Sequence, residues 1–138
     1  MESLKVKDYM TLQAVKFSPE MSLSVALEKM LKSNYLGGPV INDKQEVIGF
    51  LSGHDLLDKM VKASYYCQET YSVSDCMHTE VISVRSDTSI IELADMMKSG
   101  KPKVYPVIDN GKLVGIITRR DVLRAVAKNL DDCFKHPV

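Results

Sequence analysis

The sequence predicts an α/β (α+β) fold made of two tandem β-α-β-β-α repeats packed with pseudo-two-fold symmetry. A set of short motifs occurs twice, in the same order, along the 138 residues. Short apolar runs typical of strands alternate with apolar residues at helical spacing, and polar turns separate them. One copy of about 60 residues would bury too small a share of its surface to be stable alone. We therefore expect the copies to pack together, with two equivalent clefts between them.

The repeat is read from motifs that keep a constant offset. Val-x-Asp-x-Met at residues 6–10 recurs 67 residues later, and so does the Pro-Val-Ile segment that begins at Pro39. Beyond the next turn the offset is 66, which pairs Gly49 with Gly115, because one turn is a residue shorter. The predicted domains are accordingly repeat 1 at residues 1–65 and repeat 2 at residues 66–138.

Each copy opens with a β-type run, at residues 14–17 and 81–84, followed by a helix. Apolar residues recur at helical spacing after Ser22 and after Ser89. Ser89 and Glu92 have the spacing of a capping box, in which two side chains satisfy free N–H groups at a helix start. These serines therefore predict where the two helices begin.

Two further strands and a second helix complete each copy. The second pair of strands flanks Asn110-Gly111, which tolerates positive φ and predicts a tight hairpin turn. The connection at residues 62–72 contains three tyrosines, Tyr65, Tyr66 and Tyr71, and we expect it to be packed rather than loose.

The composition excludes several classes of function. Lysine plus arginine and aspartate plus glutamate each number 18, so the basic excess expected of a nucleic-acid or membrane-surface binder is missing. The three cysteines, Cys67, Cys76 and Cys133, are too few and too irregular for a disulfide framework. With no apolar signal segment or membrane span, we expect a cytoplasmic protein. Cys76 and His78 lack a second ligand pair, so no metal site is expected.

One polar pattern closes the last strand of each copy: Gly, two apolar residues, Ser or Thr, two residues and Asp. It places Ser52 and Thr118 at strand-to-helix junctions, and Asp55 and Asp121 in the first helical turn. One interpretation is structural, because Ser/Thr-x-x-Asp before an apolar helix is a capping pattern. The other is functional, because free N–H groups at a helix start suit phosphate, and a carboxylate can accept both hydroxyls of a ribose. The two interpretations are compatible.

The ordered set of motifs, from about residue 6 to about residue 128, resembles a stand-alone cystathionine-β-synthase (CBS) domain pair of the Bateman-module type. The resemblance implies a regulatory module without catalytic residues that binds an adenine nucleotide such as AMP, ADP or ATP. In that family the Ser/Thr and Asp of the closing motif hold phosphate and ribose, which here are Ser52, Asp55, Thr118 and Asp121. The first strand contacts adenine largely through its backbone, which here points to Ala14, Val15, Val81 and Ile82.

The same resemblance implies that the two clefts differ in charge. Residues just before the Pro-Val segment of one copy join the aspartate of the other, so Lys103 is expected near Asp55. Arg119 and Arg120 would supply positive charge beside Asp121. A solvated rim is the alternative role of these basic residues. CBS pairs also commonly form flat dimers through helices, so we expect a homodimer that signals to a protein effector.

Three alternatives remain at this point. The chain can be an interaction module that needs no ligand, with Asp55 and Asp121 as caps alone. It can bind another adenosyl ligand, such as S-adenosylmethionine or a dinucleotide. It can also be an enzyme acting on nucleotides, although no nucleophile with a base and an orienting acid is evident in the sequence.

Overall fold

The computed structural model describes residues 4–66, 71–98 and 100–135. A short 3-10 helix, Val6–Asp8, precedes the other elements. In chain order these are α1 (Leu23–Lys32), β1 (Gly37–Ile41), β2 (Val47–Ser52), α2 (Gly53–Tyr66), α3 (Val73–Cys76), α4 (Ile90–Met96), β3 (Val104–Asp109), β4 (Lys112–Thr118) and α5 (Arg119–Lys135).

Each repeat contributes one two-stranded sheet, β1 with β2 and β3 with β4. The first pair is antiparallel, with Gly37 opposite Ser52 and a register shift between Val40 and Ile41. In the second pair, Asn110 and Gly111 alone connect the strands, with φ of 52° and 79°. These positive angles at both turn positions are those of a type I′ hairpin, so the predicted turn is confirmed.

The first predicted strand of each copy is reduced to a single parallel bridge. Phe17 bridges Val40, and Val84 bridges Val107. The Phe17 N–H donates to the Pro39 carbonyl, and the Phe17 carbonyl accepts from Ile41 N–H, at 3.0 and 2.9 Å. An apolar run identifies an extended segment but does not fix how many residues of it will pair, and here only one residue pairs in each copy.

The predicted serine caps begin α1 and α4. The Ser22 hydroxyl accepts from the Val25 N–H at 3.3 Å, and the Ser89 hydroxyl accepts from the Glu92 N–H at 3.1 Å. Each cap satisfies one of the N–H groups that a helix start leaves without a partner. The residues that follow place Leu23 and Ile90 in the core, fully buried.

The tyrosines of the connection behave differently from one another. Tyr65 and Tyr66 end α2 and are 80% and 69% exposed, so the prediction that they are packed is wrong. Tyr71 does pack, against a core cluster and beneath the Lys59 ammonium, which lies 4.8 Å from its ring centroid. Cys67 lies outside the described residues, whereas Cys76 and Cys133 are free thiols.

The chain forms two compact units that do not coincide with residues 1–65 and 66–138. Unit 1 comprises residues 1–12, 83–109 and 114–138, and unit 2 comprises residues 13–82 and 110–113. Each unit therefore combines the body of one repeat with the opening Val-x-Asp-x-Met segment of the other. Val6 is fully buried in the core of unit 1, and Val73 is fully buried in that of unit 2.

The helices of the described residues fall short of the requirements for crossing a membrane. None of their helices has both the length and the apolar character needed to cross a bilayer.

Candidate functional site

The first candidate site lies in unit 2, where β2 passes into α2. The Ser52 hydroxyl accepts from the Asp55 N–H at 3.1 Å and donates to Oδ2 of Asp55 at 2.6 Å. The same Oδ2 lies 2.7 Å from Nε2 of His78, a residue that follows α3. The Asp55 side chain is 17% exposed and that of His78 is 63% exposed. Oδ1 of Asp55 takes no part in these contacts.

The backbone holds His78 beside this junction. His78 and Phe50 form an antiparallel bridge, in which each N–H donates to the other carbonyl at 2.9 Å. Gly49 permits this approach, because a Cβ there would lie 2.8 Å from the His78 carbonyl oxygen and 2.6 Å from the Met77 sulfur. The glycine of the repeated motif is therefore required by the close packing of an opening segment against the strand.

Serine, aspartate and histidine at this junction do not form a catalytic triad. In a triad the histidine lies between the other two and removes the hydroxyl proton. Here the carboxylate of Asp55 lies between Ser52 and His78 and contacts both. No contact joins the Ser52 hydroxyl to the imidazole within the described residues. The arrangement suits the binding of hydroxyl groups rather than nucleophilic attack.

The second candidate site lies in unit 1, where β4 passes into α5. The Thr118 hydroxyl accepts from the Asp121 N–H at 3.2 Å, and Oδ2 of Asp121 accepts from both the N–H and the hydroxyl of Thr118 at 2.9 Å. This reciprocal pattern is a complete capping box. Oδ1 of Asp121 accepts from the Arg124 guanidinium at 2.8 Å, and Asp121 is buried.

The predicted basic residues gather at the start of α5 in unit 1. The Arg119 N–H donates to the Lys103 carbonyl at 2.8 Å. Arg119 is half-buried near Tyr105, whose pKa is raised by burial and lowered to a smaller extent by the guanidinium charge. Arg120 and the Lys103 side chain are exposed. Lys103 and Asp55 belong to different compact units, so their predicted proximity stays a prediction.

The four residues predicted to contact adenine all fall in unit 2. Ala14, Val15 and Val81 are half-buried, and Ile82 is 43% exposed. The backbone of Val15 runs close to β1, because a Cβ on Gly38 would lie 2.6 Å from the Val15 carbonyl oxygen. Unit 2 thus contains the backbone of Val15 as well as the carboxylate of Asp55.

The structure adds two site residues that the sequence interpretation missed, His78 and Arg124. The sequence pattern presents His78 only as half of a metal motif with Cys76, and no group of three or more potential metal ligands occurs in the described residues. The repeat offset contained a usable signal, because it aligns His78 with Thr11 directly after the opening motif. Arg124 follows Asp121 by three residues, the spacing at which helix side chains meet.

Comparison with known proteins identifies the family. The CBS domain family model matches residues 6–62 and 73–128, so the chain belongs to the CBS domain family. It is 31% identical over 150 residues to the chloroplastic CBS domain-containing protein CBSX2 of Arabidopsis thaliana, covering 87% of this chain and 62% of that protein. It is 28% identical to an A-adding tRNA nucleotidyltransferase of Aquifex aeolicus, covering 93% of this chain but 15% of that protein. The chain therefore spans less than two thirds of both relatives.

Solved structures agree with the predicted fold. CBSX2 in complex with AMP has a TM-score of 0.77 and 32% identity, over 90% of this chain and 96% of that chain. A second crystal structure of CBSX2 from Arabidopsis thaliana has a TM-score of 0.79 and 30% identity, over 92% of this chain and 96% of that chain. The fold class and the tandem CBS pair predicted from the repeats are thereby confirmed.

Proposed function

We propose that this chain is a non-catalytic sensor module that binds an adenine nucleotide through the carboxylates of Asp55 and Asp121. The observation that carries the proposal is the repeated junction, in which a strand ends at a hydroxyl and a carboxylate lies in the first turn of a long helix. Carboxylate oxygens accept the hydroxyls of a ribose, and N–H groups at the helix start favour phosphate. CBSX2, which shares this fold, has been crystallised with AMP.

The two junctions differ in how freely they can exchange partners. Asp121 uses both carboxylate oxygens, one for the complete capping box and one for Arg124. Among the residues that the structure describes, Asp55 uses Oδ2 alone, for Ser52 and His78. We therefore infer that Asp55 offers the readier ribose acceptor, whereas Arg119, Arg120 and Arg124 make the Asp121 junction the more cationic of the two.

The proposal is tested by thermal unfolding of the purified chain with AMP, ADP, ATP, S-adenosylmethionine and NAD. A ligand at a hundred times its Kd stabilises by about 2.7 kcal/mol, which raises Tm by on the order of 5–10 °C for a chain of this size. We expect such a shift with an adenine nucleotide. We also expect Asp55→Asn, Asp121→Asn or their combination to remove this shift in Tm. The amide NH2 of asparagine is a donor, so it cannot accept the hydrogen bond that a ribose hydroxyl donates to the carboxylate.

Two exposed aspartates on the same helices provide matched controls. Asp58→Asn on α2 and Asp132→Asn on α5 remove the same charge without touching the junctions, and both variants should keep the full shift. Flat curves across the panel, or equal loss in the control variants, would contradict the proposal. Chromatography of the incubated nucleotide should recover it unchanged, and any product would overturn the non-catalytic assignment.

A second candidate function is supported by an exposed apolar surface on α2. Leu57, Val61 and Tyr65 are 60–80% exposed, and Leu57 also borders a cavity of about 500 Å³ lined mainly by residues of α1 and α2, with Leu36 and Ser52. Exposed apolar patches of this kind mark interaction surfaces. We infer that this surface joins two copies of the chain, with or without nucleotide.

A further inference from the structure

The imidazole of His78 contacts the carboxylate that the proposed function assigns to ribose. Nε2 of His78 lies 2.7 Å from Oδ2 of Asp55, which is also the oxygen that accepts from the Ser52 hydroxyl. A ribose diol has two hydroxyl donors and is best accepted by both oxygens of a carboxylate. The ligand and the imidazole therefore require the same oxygen of Asp55.

Main-chain contacts fix the backbone from which the imidazole of His78, itself 63% exposed, reaches Asp55. Two main-chain hydrogen bonds to Phe50 fix the backbone of His78, and close packing against Gly49 holds the same segment. In unit 1 the equivalent position is Thr11, which pairs with Ile116 through the same two main-chain hydrogen bonds, at 2.8 and 3.0 Å. The backbone arrangement is thus repeated, but only unit 2 places a titratable ring there.

We propose that His78 is a built-in competitor for Asp55, so that ribose binding at this carboxylate weakens when the imidazole is protonated. This inference rests on the proposed function. Histidine changes charge between pH 5 and 8, and a protonated imidazole holds a carboxylate more strongly than a neutral one because the hydrogen bond becomes charge-assisted. Binding at Asp55 then releases a proton, and acidification favours the unliganded state.

Other ionisable groups surround this contact, and none of those within the described part of the chain touches the shared oxygen, Oδ2 of Asp55. The segment 76–78 is packed against β2, which has no ionisable side chain, and against α2 and α3. The ionisable groups on these elements and on the segment itself are His54, Asp55, Asp58, Lys59, Lys62, Tyr65 and Tyr66 on α2, and Asp75 and Cys76 on α3; Glu80 follows the segment by two residues. Burial raises the pKa of the Cys76 thiol, which keeps it neutral across the relevant range.

The second carboxylate provides an internal contrast. Asp121 is held by the guanidinium of Arg124, which remains protonated at every pH that the protein survives. Competition from Arg124 therefore does not change between pH 6 and 8. The pH response should belong to the Asp55 junction alone, and it should disappear when His78 is replaced by the threonine that unit 1 has at the same place.

The test measures adenosine binding by calorimetry at pH 6 and pH 8 in an Asp121→Asn background, which leaves Asp55 as the reporting carboxylate. Adenosine carries the ribose but no phosphate, so neither ligand titration nor phosphate attraction contributes. Because the pair is partly exposed, we expect Kd to be about two- to fivefold weaker at pH 6 than at pH 8. His78→Thr should bind at least as tightly as the parent at pH 6, with equal Kd at both pH values, while its unchanged His54 and His136 control for the other two histidines.

The outcomes separate this inference from the function on which it rests. Equal Kd at the two pH values in the parent, or weaker binding in His78→Thr, would overturn the competitor role and make His78 a positioning residue. Binding that survives in Asp55→Asn but is lost in the Asp121→Asn background would also overturn it, while the proposed function would stand. Loss of binding in every variant and in the wild-type chain would contradict the proposed function itself.

Discussion

Gly49 and Gly115 show how single residues adapt the repeated strands to their neighbours. A Cβ at Gly115 would lie 2.8 Å from the Thr11 carbonyl oxygen, and one at Gly49 would lie 2.8 Å from that of His78. Backbone oxygens held in a bridge cannot move away cheaply, so a methyl group at either position forces the opening segment off the strand. The repeated glycine is thus a packing requirement as well as part of a binding motif.

We expect Gly49→Ala and Gly115→Ala each to lower the free energy of unfolding by about 1–3 kcal/mol, measured by urea denaturation. Gly53→Ala is the comparison variant and should cost less, because its Cβ would lie 3.3 Å from the Leu36 carbonyl oxygen, a tight contact but a longer one than the 2.8 Å at Gly49 and Gly115, and alanine favours the helix that begins there. A comparison variant as unstable as the two test variants would show that overpacking is not the cause.

The hydrogen-bonded carboxylate of Asp109 should make the stability of the fold depend on pH. Its pKa is lowered, first by the hydrogen bond from the Ser86 hydroxyl and then by the one from the Ser86 N–H, which lies 3.0 Å from Oδ1. A depressed pKa stabilises the fold above the unfolded-state pKa, and this stability is lost as pH falls through the folded-state pKa. The free energies of unfolding of wild type and Asp109→Asn, measured by urea denaturation, should therefore differ at pH 7, and the difference should shrink as the pH falls below the ordinary aspartate pKa of 3.8. A constant difference would contradict this assignment.

At the scale of elements, sequence and structure agree best where a local pattern decides the conformation. Asn110-Gly111 forms the predicted hairpin, and Ser22 and Ser89 cap the predicted helices, because turns and caps depend on residues close in sequence. Strand length depends on partners, and the first strand of each copy pairs at one residue only. For the same reason the contact between His78 and Asp55, which are distant in sequence, was not predicted.

The apolar surface of α2 makes a prediction about assembly. Leu57→Glu with Val61→Glu should shift the chain from dimer to monomer in sedimentation velocity, because two charges would be buried at the contact. Leu123→Glu tests whether the contact is confined to α2, since Leu123 occupies the equivalent position on α5 and is similarly exposed, at 62% against 61%. A dimer that survives the α2 substitutions, or a monomeric wild-type chain, would contradict this assignment.

At the scale of the whole molecule, the two compact units are linked by the exchange of their opening segments. Val6 lies in the core of unit 1 with residues of repeat 2, and Val73 lies in the core of unit 2 with residues of repeat 1. The repeat period alone cannot reveal this, because both copies of Val-x-Asp-x-Met fit either body equally well by sequence. Only the tertiary packing shows which body receives which segment.

Amide hydrogen exchange should show directly that each opening segment packs in the unit formed by the other repeat. Val6→Ala should lower the free energy of unfolding by about 2 kcal/mol, from lost burial and the cavity left behind. It should also speed amide hydrogen exchange in α4 and α5, which are distant from Val6 in sequence but belong to the same compact unit. Val73→Ala should act reciprocally on α1 and β1. Faster exchange confined to α1 in Val6→Ala would mean that each opening segment packs on its own repeat.

The central claim, that the paired carboxylates bind an adenine nucleotide, is tested most directly by calorimetric titration of AMP into the wild-type chain and into Asp55→Asn/Asp121→Asn. The account predicts saturable binding to wild type, loss of at least about tenfold in affinity in the double variant, and unchanged binding in Asp58→Asn/Asp132→Asn. Wild-type heats no larger than those of dilution, or equal affinity in the double variant, would contradict the claim and leave Asp55 and Asp121 as helix caps.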